Sequence, residues 1–162
     1  MHPNDTTEVE RCCRALAPGL VLYASQWLDA QAAEDAVQEA FVALLAGRRR
    51  PDNLKAWLFR CVRNEAMERL RRLRRQRGHE EKLGRGRPWF EPRADEALDA
   101  AAAEAALRQL PEGQREIIVL RLWAGMTLEE AAKATGLPVS TLFSRYETGL
   151  TALRRMLGGA QR

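Results

Sequence analysis

An all-α architecture of two small helical domains joined by a linker is what this chain predicts, on three observations. Apolar residues recur at intervals of three and four along most of its length, the spacing of one face of an α-helix. Ala, Leu, Arg and Glu, all good helix formers, dominate the composition. One stretch, residues 76–94, carries Gly78, Gly84, Gly86, Pro88 and Pro92 among charged residues and has no sustained apolar period, so it reads as a linker between blocks 7–75 and 95–158. With 162 residues, 46% of them hydrophobic, the chain can bury one moderate core or two small ones.

The first block opens with a helix over 7–28, where Val9, Cys12, Cys13, Leu16, Leu20, Tyr23 and Trp27 repeat at mixed helical spacings. Pro18 and Gly19 are expected to bend or briefly interrupt it. A second helix is predicted over 32–46. Its apolar stripe is Ala36, Val37, Ala40, Phe41, Leu44 and Leu45, with Glu34, Asp35, Gln38 and Glu39 alongside and Gly47 as the stop. After a loop from residue 48 to 53, a long helix over 54–75 places Leu54, Trp57, Leu58, Cys61, Val62, Met67 and Leu70 inward and Lys55, Arg60, Arg63, Arg69, Arg71 and Arg72 outward.

Within the linker, Trp89 and Phe90 stand out, because two adjacent large aromatics dock on their own domain or on a partner. Helices resume near Asp95, with Leu98, Ala102, Ala105, Leu107 and Leu110 leading to Pro111, then Ile117, Ile118, Leu120, Leu122 and Trp123 before a turn at Gly125. Residues 126–142, MTLEEAAKATGLPVSTL, then have the layout of a helix-turn-helix. Thr127 is placed to cap a short helix, Glu129 and Glu130 suit its positive end, and Gly136 supplies the turn. A second helix starts between Pro138 and Ser140 and puts Leu142, Tyr146, Leu150 and Leu153 on one face, leaving Thr141, Phe143, Ser144 and Arg145 to meet a partner, as a DNA-reading helix does.

Charge points to the same kind of partner. The chain carries only +4 overall, yet residues 48–93 hold 16 Lys/Arg against 6 Asp/Glu, while 1–47 and 94–162 are net acidic. Such a concentration of cations draws phosphate, and the counterions it displaces from a nucleic acid drive association. Other classes are disfavoured. Cys12, Cys13 and Cys61 make no disulfide framework, and His2 and His79 lie far from any cysteine pair, so no metal is expected. Cys61 reads as a small apolar residue. No glycine-rich phosphate loop, nucleophile elbow or histidine pair suggests catalysis or a cofactor. The longest apolar run, 16–24, is broken by Pro18 and Gly19 and too short to span a membrane, and the first residues lack the layout of a secretory signal, so a cytoplasmic protein is expected.

Two separate stretches resemble one family. AEDAVQEAFVAL at 33–44, followed by LKAWLFRCVRN at 54–64, resembles region two of the sigma-70 family of RNA polymerase sigma factors, and ALRQLPEGQREII at 106–118, continuing through the helix-turn-helix to Arg154, resembles their region four. Two domains, a linker and nothing between them are similar to the extracytoplasmic function (ECF) group. The resemblance implies a non-enzymatic factor that binds core RNA polymerase and promoter DNA and directs transcription initiation, and that an anti-sigma partner commonly holds inactive. It implies polymerase contact through Asp35, Gln38 and Glu39, whose exposed carboxylates and amide would steer a basic partner helix. It also implies minus-ten recognition through a loop containing Arg48, Arg49, Arg50 and Asn53, with Lys55, Arg60, Arg63 and Asn64 along the displaced strand. Trp57, in step with Leu54, Leu58 and Cys61, fits a core position better than one on which a base stacks, the other use open to it. Minus-35 reading falls to Ser140, Thr141, Phe143, Ser144 and Arg145.

The chain departs from that pattern in two places, its recognition helix and its linker, which is basic in its first half through Arg74, Arg75, Arg77, Lys82, Arg85 and Arg87. Where the family commonly has a basic residue after the second-helix start, this chain has Phe143, and Glu147 adds a carboxylate one turn on. Phe143 suits a thymine methyl and Glu147 a cytosine amino group, although Glu147 also repels phosphate. Two other readings share these features: a stand-alone helix-turn-helix regulator, which has no need of the acidic helix and the arginine-lined one, and a sigma-like protein with impaired minus-35 recognition.

Overall fold

The computed structural model describes residues 3–77, Trp89 and 97–159, with no side-chain detail for 3–5 and 97–99. Among these residues the chain is built of seven helices: α1 (Pro3–Ala24), α2 (Ala30–Ala46), α3 (Leu54–Arg77), α4 (Ala97–Gln109), α5 (Glu112–Leu122), α6 (Leu128–Thr135) and α7 (Val139–Gly159). They divide into two compact units, residues 1–85 and 86–162. Of the segment read as a linker, Gln76 and Arg77 are the last residues of α3, and 78–88 and 90–94 lie outside the described residues.

In the first unit α1, α2 and α3 each pack on the other two. Its core is aromatic at the centre and alanine-rich around it. Tyr23 meets Trp27 edge-on at 5.0 Å between ring centroids, and Phe59 at 5.2 Å. Ala33, Ala36 and Ala40 of α2 and Ala56 and Ala66 of α3 are buried, and such small residues let helix axes approach closely. α1 runs unbroken through Pro18. Proline removes one backbone donor but keeps a helical φ, and the turn that follows it buries Leu20, Tyr23 and Ala24 completely. The helix gives way after Ala24 to tighter turns in which Trp27 and Leu28 donate to the Ala24 carbonyl, at 3.1 and 3.0 Å.

The loops begin and end helices by side-chain capping. Asp29 accepts from the Ala32 N–H at 2.8 Å and starts α2 two residues before the position expected from the apolar stripe. Gly47 stops α2 with an extended backbone (φ −69°, ψ 138°) rather than the left-handed turn expected of glycine. Asn53 Oδ1 accepts from the Ala56 N–H at 2.9 Å and starts α3. Along α3 the buried stripe is Ala56, Leu58, Phe59, Val62, Ala66 and Leu70. It is rotated from the expected one: Phe59 is fully buried, whereas Leu54, Trp57, Cys61 and Met67 are half-buried. Leu45, expected inward on α2, is 68% exposed.

In the second unit α7 packs on α4, α5 and α6. Ala106, Leu107, Leu110, Ile118 and Leu153 form a buried cluster, with Trp89, Tyr146, Ala152, Met156 and Leu157 against it. Ala102 and Ala105, expected inward, are exposed, since a run of alanines carries no apolar contrast to fix which face turns in. Trp89 does dock on its own domain. Its backbone N–H donates to Glu104 Oε2 at 2.9 Å, and the Arg108 guanidinium, paired with Glu104 at 2.8 Å, lies 4.2 Å from the indole centroid. Phe90 lies outside the described residues.

α5 and α7 approach so closely at Gly149 that a β-carbon there would stand 2.8 Å from Ile118 Cδ1 and 3.1 Å from Gln114 Cβ. Arg115 and Glu116 are buried beside one another on α5. Burial pulls the Arg115 guanidinium below its ordinary value, against the opposing pull of Glu112.

Gly149→Ala is expected to destabilise the chain by about 1–3 kcal/mol through overpacking, read as a lower urea midpoint. Asn53→Ala should cost about 1 kcal/mol by loss of the cap, and Asn53→Asp, which keeps the acceptor, should restore most of it in the same denaturation series.

Candidate nucleic-acid interface

In the first unit the cations lie in the loop before α3 and along α3, densest over residues 69–77. Arg48, Arg49 and Arg50 are exposed in the loop that leads into α3, and Arg60 and Asn64 are exposed on the helix. Trp57, Arg60 and Asn64 stand at i, i+3 and i+7, so they share one face. Trp57 therefore borders this polar strip rather than the centre of the core, and spacing alone misses it, because its step to Leu58 and Cys61 fits an inward stripe equally well. Lys55 and Arg63 are half-buried on the flanks, and Asn53 is engaged as the cap of α3. Cys61 is half-buried, and burial raises its thiol while Arg60 pulls the other way.

α2 presents a different surface. Asp35 is drawn toward α3: it accepts from Gln31 at 3.0 Å and lies 3.9 Å from Arg69, which is held at 2.9 Å by Glu65. Gln38 and Glu39 face solvent, and the next turns of the same face expose Val42 and Leu45. An acidic and apolar strip of this kind suits a basic, partly apolar partner helix. Sequence reasoning misses Val42 and Leu45: Leu45 reads as part of the core stripe, and Val42 is not singled out.

In the second unit α6 and α7 form the predicted helix-turn-helix. Thr127 Oγ1 accepts from the Glu130 N–H at 3.1 Å, and Glu130 accepts in return from the Thr127 N–H at 3.0 Å, a reciprocal cap. Gly136 closes α6 with φ 76°, the left-handed conformation that favours glycine. Arg121 braces the motif: it donates to the Met126 carbonyl at 2.6 Å and lies 5.4 Å from the centroid of Tyr146 on α7. Its role is not visible in sequence, where it is one of two arginines in α5.

Of the residues read as facing DNA on α7, Ser140, Phe143 and Ser144 are exposed, Thr141 is half-buried, and Arg145 is half-buried with its guanidinium laid over Gly113 at the start of α5. Val139, not singled out in sequence, is exposed one turn before Phe143, and Glu147 is exposed one turn after it. Lys133, Arg154 and Arg155 are exposed cations on the two helices of the motif. Among the described residues no helix is long and apolar enough to cross a membrane.

Comparison with known proteins meets this geometry on both units. Residues 13–76 match the family described as Sigma-70 region 2, and residues 100–153 match Sigma-70, region 4. The ECF RNA polymerase sigma factor EcfG of Rhodopseudomonas palustris is 31% identical over 132 residues, covering 80% of this chain and 73% of that one. RNA polymerase sigma factor CnrH of Cupriavidus metallidurans is 32% identical over 138 residues, covering 76% and 72%. Among solved structures, the sigma factor RpoE in complex with the anti-sigma factor NepR from Bartonella quintana aligns at a TM-score of 0.79 and 26% identity, over 97% of this chain and 98% of that one. CnrH in complex with the cytosolic domain of CnrY aligns at 0.63 and 26%, over 95% and 87%. With both region matches in order along one chain, this protein belongs to the ECF group of the sigma-70 family of RNA polymerase sigma factors.

Proposed function

We propose that this chain binds core RNA polymerase through α2, engages the minus-ten element through the loop 48–53 and α3, and reads the minus-35 element through α7. The observation that carries the reading is the pairing, in the first unit, of an exposed acidic and apolar strip on α2 with an arginine-rich loop and helix. A stand-alone regulator would use only the helix-turn-helix.

Each surface has the chemistry its role needs. Gln38, Glu39, Val42 and Leu45 offer a partner helix both charge complementarity and apolar area, and Asp35, its side chain 43% exposed and 3.9 Å from Arg69, adds a further carboxylate at their edge. Arg48, Arg49, Arg50, Arg60 and Asn64 follow phosphates and base edges, with Lys55 and Arg63 on the flanks, and Trp57 offers a ring on which an unstacked base can rest. Asn53 acts here chiefly by starting the helix. On α7, Ser140, Thr141 and Ser144 supply hydroxyls for backbone or base edges, and Phe143 an apolar contact. Arg145 meets a phosphate only by leaving Gly113.

The domain assignment follows: 7–75 as the region-two domain, 76–94 as linker, although its first two residues are helical, and 95–158 as the region-four domain. The factor works in the cytoplasm beside the polymerase and has no catalytic activity of its own. The aligned RpoE and CnrH structures are complexes, one with an anti-sigma factor and one with the cytosolic domain of CnrY, which supports an inhibitory partner of that kind for this chain.

The test is co-elution of the purified chain with core polymerase, followed by run-off transcription on a library of random promoters. Wild type is expected to co-elute and initiate at specific sites. Gln38→Arg with Glu39→Arg should weaken core binding at least about tenfold without shifting the thermal midpoint, since both side chains face solvent. Failure of wild type to bind core would remove the reading. Replacing Arg48, Arg49 and Arg50 by Ala should lower the slope of log affinity against log salt for single-stranded minus-ten DNA by about 0.7 for each phosphate that these arginines neutralise.

A further inference from the structure

The outward face of α7 is chemically unusual for a helix placed to read a polyanion. Over its first turns Val139 and Phe143 are 38% and 53% exposed, Ser140, Ser144 and Glu147 face solvent beside them, and Arg145, the one cation of residues 139–148, has its guanidinium against α5. Apart from Arg145, nothing in that set can donate the bidentate pair that reads guanine. The apolar pair is also not needed for the core, which α7 reaches through Leu142, Gly149 and Leu153. Two large apolar side chains held in water one turn apart, on the helix of the motif that enters the major groove, match one feature of that groove: the 5-methyl group of thymine.

We propose that Val139 and Phe143 form an apolar reading edge that packs on thymine methyl groups, so that the upstream promoter element of this sigma factor is specified by T·A pairs at the positions they meet. The inference rests on the assignment of α7 to minus-35 recognition and goes beyond it by naming the base and the atoms read. Four residues of helix rise by about 6 Å, close to two base-pair steps of about 3.4 Å each, so the two side chains reach thymines within two steps of one another. Ser140 and Ser144, on the adjoining side of the same face, reach base edges or the sugar-phosphate backbone, and Glu147, one turn beyond Phe143, suits a base that presents an amino donor, cytosine or adenine, over guanine or thymine, whose edges present only acceptors.

The experiment uses the full chain reconstituted with core polymerase and a promoter library randomised upstream. Thymines are expected to be enriched at two positions within two steps. Those thymines are then replaced by deoxyuridine, which removes the methyl and leaves the hydrogen-bonding edge intact. Wild type should bind the uracil duplex more weakly by about fourfold for each methyl removed. Phe143→Ala should bind the thymine duplex more weakly and discriminate less between the two, and Phe143→Leu should recover part of the discrimination. Both variants change an exposed side chain, and an unchanged circular dichroism melt confirms that they fold.

A wild type that ignores the methyl, or a Phe143→Ala variant that keeps the full discrimination, overturns the inference. So does specific initiation without thymine enrichment, which leaves the sigma-factor reading standing. A chain that fails to bind core overturns that reading instead, and the uracil comparison is then made on duplex binding by the chain alone.

Discussion

The seam between α5 and α7 is the contact on which the DNA-reading half of this protein depends. α7 is 21 residues long, and α5 crosses it where Gly149 lets Ile118 and Gln114 come within reach of the backbone. Neighbouring positions deepen the seam with Leu142 and Leu153, and α4 and α6 add their buried faces on either side. Burial of these side chains, at about 25 cal/mol for each Å² removed from water, holds the helix far more firmly than the few polar contacts at its ends. What α7 shows to solvent is therefore presented from a fixed bed.

The first unit solves a different problem with the same means. A helix that carries a dense row of arginines repels itself, and α3 is held by what lies beneath that row. Phe59 against Tyr23, with alanines around them, supplies the anchor. Glu65 with Arg69, and Glu68 with Arg71 and Arg72, offset part of the repulsion along the surface, each exposed pair contributing only a fraction of a kcal/mol. These pairs lie from the middle of α3 onward. Arg60 stands in the first half, exposed, toward the end of the helix where the loop cations Arg48, Arg49 and Arg50 also lie.

Much of this is legible from the residues, for reasons that differ by element. The α6 turn is readable because Thr127, Glu130 and Gly136 each have one strongly preferred use at a helix end, and local chemistry decides the outcome. The family resemblance is legible because two motif blocks occur in order. Tertiary choices are harder to read. Phe59 and Trp57 both fit a helical stripe, and which one turns inward is settled by Tyr23, some 36 positions earlier in the chain. Pro18 reads as a break, yet the burial of Leu20 and Tyr23 carries α1 through it. Leu45 reads as core because sequence does not distinguish an apolar residue that packs from one that stands in water. The meaning of Gly149 appears only when α5 is seen against it.

The division of α7 into a face that is held and a face that is shown has an evolutionary consequence. Substitutions at sites that share no partner add almost independently in free energy. Val139, Ser140, Phe143, Ser144 and Glu147 are exposed, while Leu142, Gly149 and Leu153 are buried in the seam. On the reading of α7 proposed above, drift on the outward set retunes which promoters a lineage serves while folding stays neutral, and a duplicated copy of this gene has an open route to a new regulon.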